Sequence, residues 1–187
     1  MVYYVLISAR TALGVPGLEP PLQEEAEWQS LQSQKNNKIP NTASMVLSGL
    51  YYNYSQIRSD ALSNNKIKVI NGTYDDSYIN GIWQNPYETK LAFAITAPIQ
   101  EVNQPNVSVS LPPTLWHTNQ ESSINTIQID FGNGTGYKNL NNNAVATTFY
   151  NAAGVYTWTY RLQISSGQYK YCRQKIKVTV PPATKNY

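Results

Sequence analysis

Apolar and polar residues alternate strictly in two stretches late in the chain. In 127–131, Ile127, Ile129 and Phe131 share one face while Gln128 and Asp130 share the other, the two-residue period of a half-buried strand. In 155–164, Tyr156, Trp158, Tyr160, Leu162 and Ile164 face one way and Val155, Thr157, Thr159, Arg161 and Gln163 the other. Inward side chains of this size contribute roughly 1.5–3 kcal/mol each when fully buried, enough to anchor one sheet on another. Between the two stretches, Gly132, Asn133 and Gly134 tolerate the positive φ of a tight strand-ending turn.

The same pattern recurs nearby. Leu91, Ala92, Phe93, Ala94 and Ile95 form an apolar run, 107–111 alternates, and Pro112-Pro113 halts it. In 169–180, Cys172, Ile176, Val178 and Val180 point one way and Tyr169, Tyr171, Arg173, Lys175 and Lys177 the other. Five or six strands separated by turn residues predict an all-β sandwich over 87–182, closed by Pro181-Pro182 and a tail at 183–187.

Upstream the texture is mixed. Residues 1–40 read as a partly flexible leader and short helix: Met1 to Ile7 is apolar but lacks a basic n-region, so it is a truncated leader or a chance start, Gly14, Pro16, Gly17, Pro20 and Pro21 break regular structure, and 22–34 carries acids early with lysines after it, as a helix dipole favours. Residues 41–86 predict an extension packed on the sandwich. There Ser55 is a candidate cap for a short helix through Ile57, Ala61 and Leu62, ended by Asn64-Asn65. Ile67 to Ile70 followed by Asn71-Gly72 signals a hairpin, and Tyr74, Tyr78, Ile79, Ile82 and Trp83 stand in an irregular stretch closed by Pro86.

Asp130-Phe131-Gly132-Asn133-Gly134-Thr135, followed by Phe149-Tyr150 and Gly154-Val155-Tyr156-Thr157, resembles the PKD-type immunoglobulin-like domain, whose pattern runs DFGDGT, then a Tyr, then GxYxV. Asn133 replaces the second Asp of that pattern, and Trp158 stands where Val is common. Tyr156, just inside a strand, is placed like the tyrosine of a sandwich corner, whose hydroxyl ties a loop to the strand. The layout from Tyr51 to Val180, with Asp60-Ala61-Leu62 early and the glycine-rich turn late, is also similar to N-terminal modules of secreted Bacteroidetes surface proteins. The resemblance implies a PKD-like sandwich that precedes further domains, and implies no biochemical activity.

Composition changes this picture little. Of 187 residues only 13% are charged, and 15 are tyrosine, a balance that suits an extracellular β-protein. A net charge of +3 is too mild to point to nucleic acid. Cys172 stands alone, so the chain holds no internal disulfide and no cysteine-rich zinc site. No run approaches the ~18 apolar residues of a membrane helix. The sequons at Asn53, Asn71, Asn106 and Asn133 are what chance supplies in so Asn-rich a chain.

Catalytic signatures are weak. His117 is the only histidine, no nucleophile elbow accompanies it, and it reads as a surface residue at a strand end. The carboxylates Asp60, Asp75, Asp76, Glu88, Glu101 and Asp130 are scattered, whereas glycoside hydrolysis needs two flanking one bond. No cofactor is expected; Asp75, Asp76, Asp130 and Asn133 are weak calcium donors without EF-hand spacing. The turn at 132–136 lacks the Lys-Ser/Thr of a phosphate loop. Candidate ligand-binding residues are Trp83, Trp116, Tyr169, Tyr171 and Arg173, with Tyr51 and Tyr54 as further stacking surfaces. The outward row on 169–177 also fits a strand that uses charge to block edge-to-edge pairing. The expected protein is thus a non-enzymatic, extracellular or cell-surface module that meets a protein or glycan, or spaces neighbouring domains. A carbohydrate-binding module with tryptophans exposed in a row is the first alternative, and a fragment of a secreted hydrolase the second.

Overall fold

The computed structural model describes residues 45–179. The apolar opening, the breaker segment, the helix expected at 22–34 and the Pro181-Pro182 exit lie outside them. The strands are β1 (Met45–Val46), β2 (Ser48–Ile57), β3 (Ile67–Ile70), β4 (Thr73–Asp76), β5 (Tyr78–Ile79), β6 (Ile82–Trp83), β7 (Tyr87–Thr96) and β8 (Glu101–Val102). They continue with β9 (Asn106–Ser110), β10 (Trp116–Thr118), β11 (Ile124–Asp130), β12 (Tyr137–Asn139), β13 (Ala146–Phe149), β14 (Gly154–Ile164) and β15 (Tyr169–Val178). The chain forms two compact units, which among the described residues are 53–92 and 45–52 with 93–179; it passes between them inside β2 and inside β7.

In the larger unit one layer is a five-stranded sheet in the order β12-β11-β14-β15-β8. It is antiparallel except for β8, which runs beside β15 only at Lys177 and Val178. The other layer comes from the sheets β1-β9-β13 and β10-β2-β7, joined where Leu47 N–H donates to Ser110 O at 2.8 Å. The core between them is all-β: Met45, Leu47, Tyr51, Ile95, Val107 and Val109 from one side meet Ile127, Ile129, Phe131, Trp158, Tyr160 and Leu162 from the other. The alternation in β11, β14 and β15 therefore buries the predicted faces. Residues 45–52, grouped above with the extension, contribute β1 and part of β2 to this sandwich, because their apolar side chains fill its core.

One polar chain threads the centre. Trp158 Nε1–H donates to the Tyr150 hydroxyl at 2.8 Å, and that hydroxyl donates to Phe131 O at 3.0 Å. The Phe131 and Trp158 rings meet edge to face at 5.2 Å, and burial pushes the Tyr150 phenol up to about 12. Tyr156 sits as the corner reading predicts, its hydroxyl donating to Ala152 O at 2.8 Å. Across the layers, Gln174 Oε1 accepts from Ala97 N–H at 2.7 Å and Cys172 Sγ accepts from Ile95 N–H at 3.2 Å, so side chains of β15 satisfy backbone of the facing layer. Burial pushes the Cys172 thiol up to about 11, which leaves it protonated and unreactive at neutral pH.

The turn after β11 is set by glycine. Gly132 has φ +72°, and a Cβ there would lie 2.6 Å from Thr157 O; Gly134 has φ +82° with open space around it. Gly134→Ala should therefore cost about 1–2 kcal/mol for handedness alone, and Gly132→Ala about 1–3 kcal/mol more for backbone overlap. Equal urea midpoints for the two variants would refute the close approach.

In the unit at 53–92, the predicted hairpin is present: β3 and β4 join through Asn71 (φ 53°) and Gly72 (φ 80°). The stretch beyond is not irregular, since β5 and β6 form a second hairpin through Asn80 (φ 52°) and Gly81 (φ 79°). The short helix expected from Ser55 to Leu62 is absent. Ser55 to Ile57 belong to β2, where the Ser55 side chain is fully buried and cannot cap a helix. The next residues fold as turns around Asp60, whose carboxylate accepts from Arg58 Nε at 2.9 Å and Asn64 Nδ2 at 2.8 Å.

Candidate functional site

The outer face of the five-stranded sheet carries the densest set of exposed functional side chains among the predicted site residues. Register places Tyr171 of β15 opposite Arg161 of β14, which is opposite Gln128 of β11, which is opposite Asn139 of β12. The next row out is Arg173, Thr159, Asp130 and Tyr137. Because directly paired residues share a face, outward positions of four strands form one continuous surface.

At its middle, the Arg161 guanidinium lies 3.7 Å from the Tyr137 ring centroid and 4.8 Å from that of Tyr169. Its Nε–H donates to Gln128 Oε1 at 2.7 Å. Tyr169 and Tyr171 continue the series, their ring centroids 6.1 Å apart and tilted by 33°. Two aromatic faces and one amide thus hold a cation in place, each cation–π contact contributing about 0.5–1 kcal/mol at an exposed site. Burial is the main cause that raises the Tyr137 phenol, with Arg161 opposing it, so this ring is the more sheltered side of the stack. Tyr169 and Tyr171 remain 38% and 49% exposed.

Tyr169, Tyr171 and Arg173 are therefore brought together as their alternation predicts. Tyr137 and Arg161 were not singled out, although Arg161 lies on the outward face of β14 and a register between the two long strands would have found it. Trp83 belongs to the other unit, half-buried in β6 opposite Tyr78. Trp116, in β10, is half-buried and packs against the core, where it lines a cavity of about 220 Å³ with Glu121 and Asn142. Tyr51 is buried, and its ring meets Phe93 edge to face at 6.4 Å, so it offers no stacking surface. With Trp158 fully buried and Trp83 and Trp116 half-buried, the described tryptophans make no exposed row.

Three of the four candidate calcium donors, Asp75, Asp130 and Asn133, make local hydrogen bonds. Asp130 Oδ1 accepts from Gly132 N–H at 2.8 Å, and Asn133 Oδ1 accepts from the Thr135 hydroxyl at 2.8 Å while its Nδ2 donates to Thr148 Oγ1 at 2.7 Å. Asp75 accepts from Asp76 N–H at 2.9 Å and lies 4.0 Å from Lys68 Nζ. Among the described residues no three His, Cys, Asp or Glu side chains cluster as metal ligands would, and no helix is long and apolar enough to cross a membrane.

His117 is not the surface residue expected. It pairs with Leu50 of β2 and is half-buried, and burial pushes its imidazole below the ordinary 6.5. The fold thus favours the neutral ring, and as pH falls through about 6.5 the unfolded chain takes up the proton first. Stability should be level above that pH and fall below it. His117→Gln should remove this part of the decline between pH 7 and 5; an unchanged decline in urea unfolding would refute it.

No family model matches the chain, and no curated protein matches it. Among solved structures it is similar to the PKD1 domain of Vibrio anguillarum Epp, with a TM-score of 0.32 and 20% identity over 43% of this chain and 86% of that one. It is also similar to the PKD1 domain from the Vibrio cholerae metalloprotease PrtV, with a TM-score of 0.28 and 14% identity over 71% of this chain and 98% of that one.

Proposed function

We propose that the chain is a non-catalytic, extracellular or cell-surface interaction module of a longer protein, and that the outer face of the five-stranded sheet is its binding surface. The observation that carries this reading is the Arg161 guanidinium, fixed between Tyr137 and Tyr169 and hydrogen-bonded to Gln128. A surface with this much order before any partner arrives loses less conformational freedom on binding. The hydrolase alternative is disfavoured by the surroundings of the acids: Glu88 pairs with Lys90 at 3.0 Å, Asp60 with Arg58 at 2.9 Å, and Glu101 with Lys177 at 3.1 Å. Asp60 and Glu88, each held below the ordinary carboxylate range by its cationic partner, are poor proton donors, and none of these three acids is paired with a second acid.

The test is binding of the full chain to a panel of immobilised extracellular proteins and glycans, with Arg161→Ala compared with the wild type. Loss of the captured partner, with unchanged circular dichroism, is the expected result. Retention of every partner by the variant would overturn this choice of surface.

A further inference from the structure

We propose that this face binds an acidic polysaccharide, with guanidinium groups meeting its carboxylate or sulfate groups and tyrosine rings stacking on its sugars; this rests on the reading of the same face as the binding surface.

Charge comes first. The outward positions present Arg161, Arg173, Lys175 and Lys177 against only two carboxylates, Asp130 and Glu101. Glu101 is paired with Lys177 at 3.1 Å and Asp130 accepts from the Gly132 amide, so the face keeps an excess of positive charge carried by Arg161, Arg173 and Lys175. Arg173 and Lys175 remain exposed, and among the described residues neither forms an ion pair. Arg161 spends its Nε–H on Gln128, and among the described residues its other N–H groups have no acceptor. A planar guanidinium held in one orientation is suited to bidentate recognition of a carboxylate or sulfate.

Shape and chemistry then select among anions. Tyrosine and arginine also anchor protein interfaces, where they fill pockets of the partner, so the selection rests on the hydroxyls and amides that lie between them here. This surface presents Tyr, Arg, Lys, Thr, Gln and Asn with the two carboxylates, and an aliphatic side chain only at its far end, Val155. Sugar rings need what it offers: aromatic faces for their C–H sides and amides and hydroxyls for their hydroxyl groups. At roughly 3.4 Å per residue, the outward row from Tyr169 to Lys177 runs for about 27 Å, a track for several sugar units in line.

The full chain is run through native gels containing polygalacturonate, dextran sulfate, hydroxyethyl cellulose, poly-glutamate or oligo-dT. Retardation by polygalacturonate or dextran sulfate, and not by the other three, is expected; which of the two is preferred tells carboxylate from sulfate. Tyr171→Ala and Arg173→Ala, both at exposed sites, should each weaken retardation about tenfold, a difference of about 1.4 kcal/mol. Equal retardation by the neutral polymer would overturn the role of charge. Equal retardation by poly-glutamate or oligo-dT would overturn the selection of a sugar polymer. No retardation by either acidic polysaccharide would end this inference, while the Arg161→Ala comparison above would still decide whether the face binds at all.

Discussion

Trp158→Ala should lower folding stability by about 3–5 kcal/mol, the range for removing a fully buried aromatic side chain. The indole is wholly inaccessible, lies edge to face on Phe131, and donates to Tyr150, so its loss removes area, leaves a cavity and strands a hydroxyl. Equilibrium urea unfolding reads the change directly. A loss under about 1 kcal/mol would mean that this residue is not the centre of the core.

Tyr150→Phe is the second large effect. It keeps the ring but deletes the hydroxyl that accepts from Trp158 and donates to Phe131 O, leaving two buried groups unpartnered. At about 1–3 kcal/mol for each unsatisfied buried group, a loss of roughly 2–6 kcal/mol is expected. A control is at hand in Tyr160, whose hydroxyl is buried and has no partner. Tyr160→Phe removes a polar atom that satisfies nothing, so it should be neutral or slightly stabilising. If both Tyr→Phe changes cost the same, the hydrogen-bonded chain through Trp158 is not what distinguishes them.

The long strands were legible because a two-residue period needs several repeats to stand out, and β11, β14 and β15 supply them. The rest was hidden for identifiable reasons. β8, β10 and β12 have two or three residues each, too few for any period to register. The parallel pairs of β1 with β9, β2 with β10 and β8 with β15 depend on packing between distant segments, not on a turn that could be read locally. Ser55 carries a cap-forming side chain, yet it lies within β2 and its side chain is fully buried. Asn80-Gly81 carried the same hairpin signal as Asn71-Gly72, but the short flanking strands obscured it.

For the candidate face, Tyr169, Tyr171 and Arg173 emerged from alternation in one strand. Tyr137 and Arg161 did not, because their importance comes from cross-strand register, which a linear pattern does not contain. The conflict at Trp116 is similar: aromatic residues near turns suggest stacking platforms, but burial against neighbouring sheets decides whether a ring is available.

The parallel pairs also bear on how the chain reaches its native state. The link between β14 and β15 spans a few residues, whereas Met45 must find Val109 and Glu101 must find Lys177, each across more than sixty positions. Closing such loops costs entropy before any contact repays it. The β14–β15 hairpin can form early, while β1 docks late, and completion on the millisecond-to-second scale typical of sandwiches follows. Until that strand arrives, the edge of β9 that pairs with it stays open to other chains.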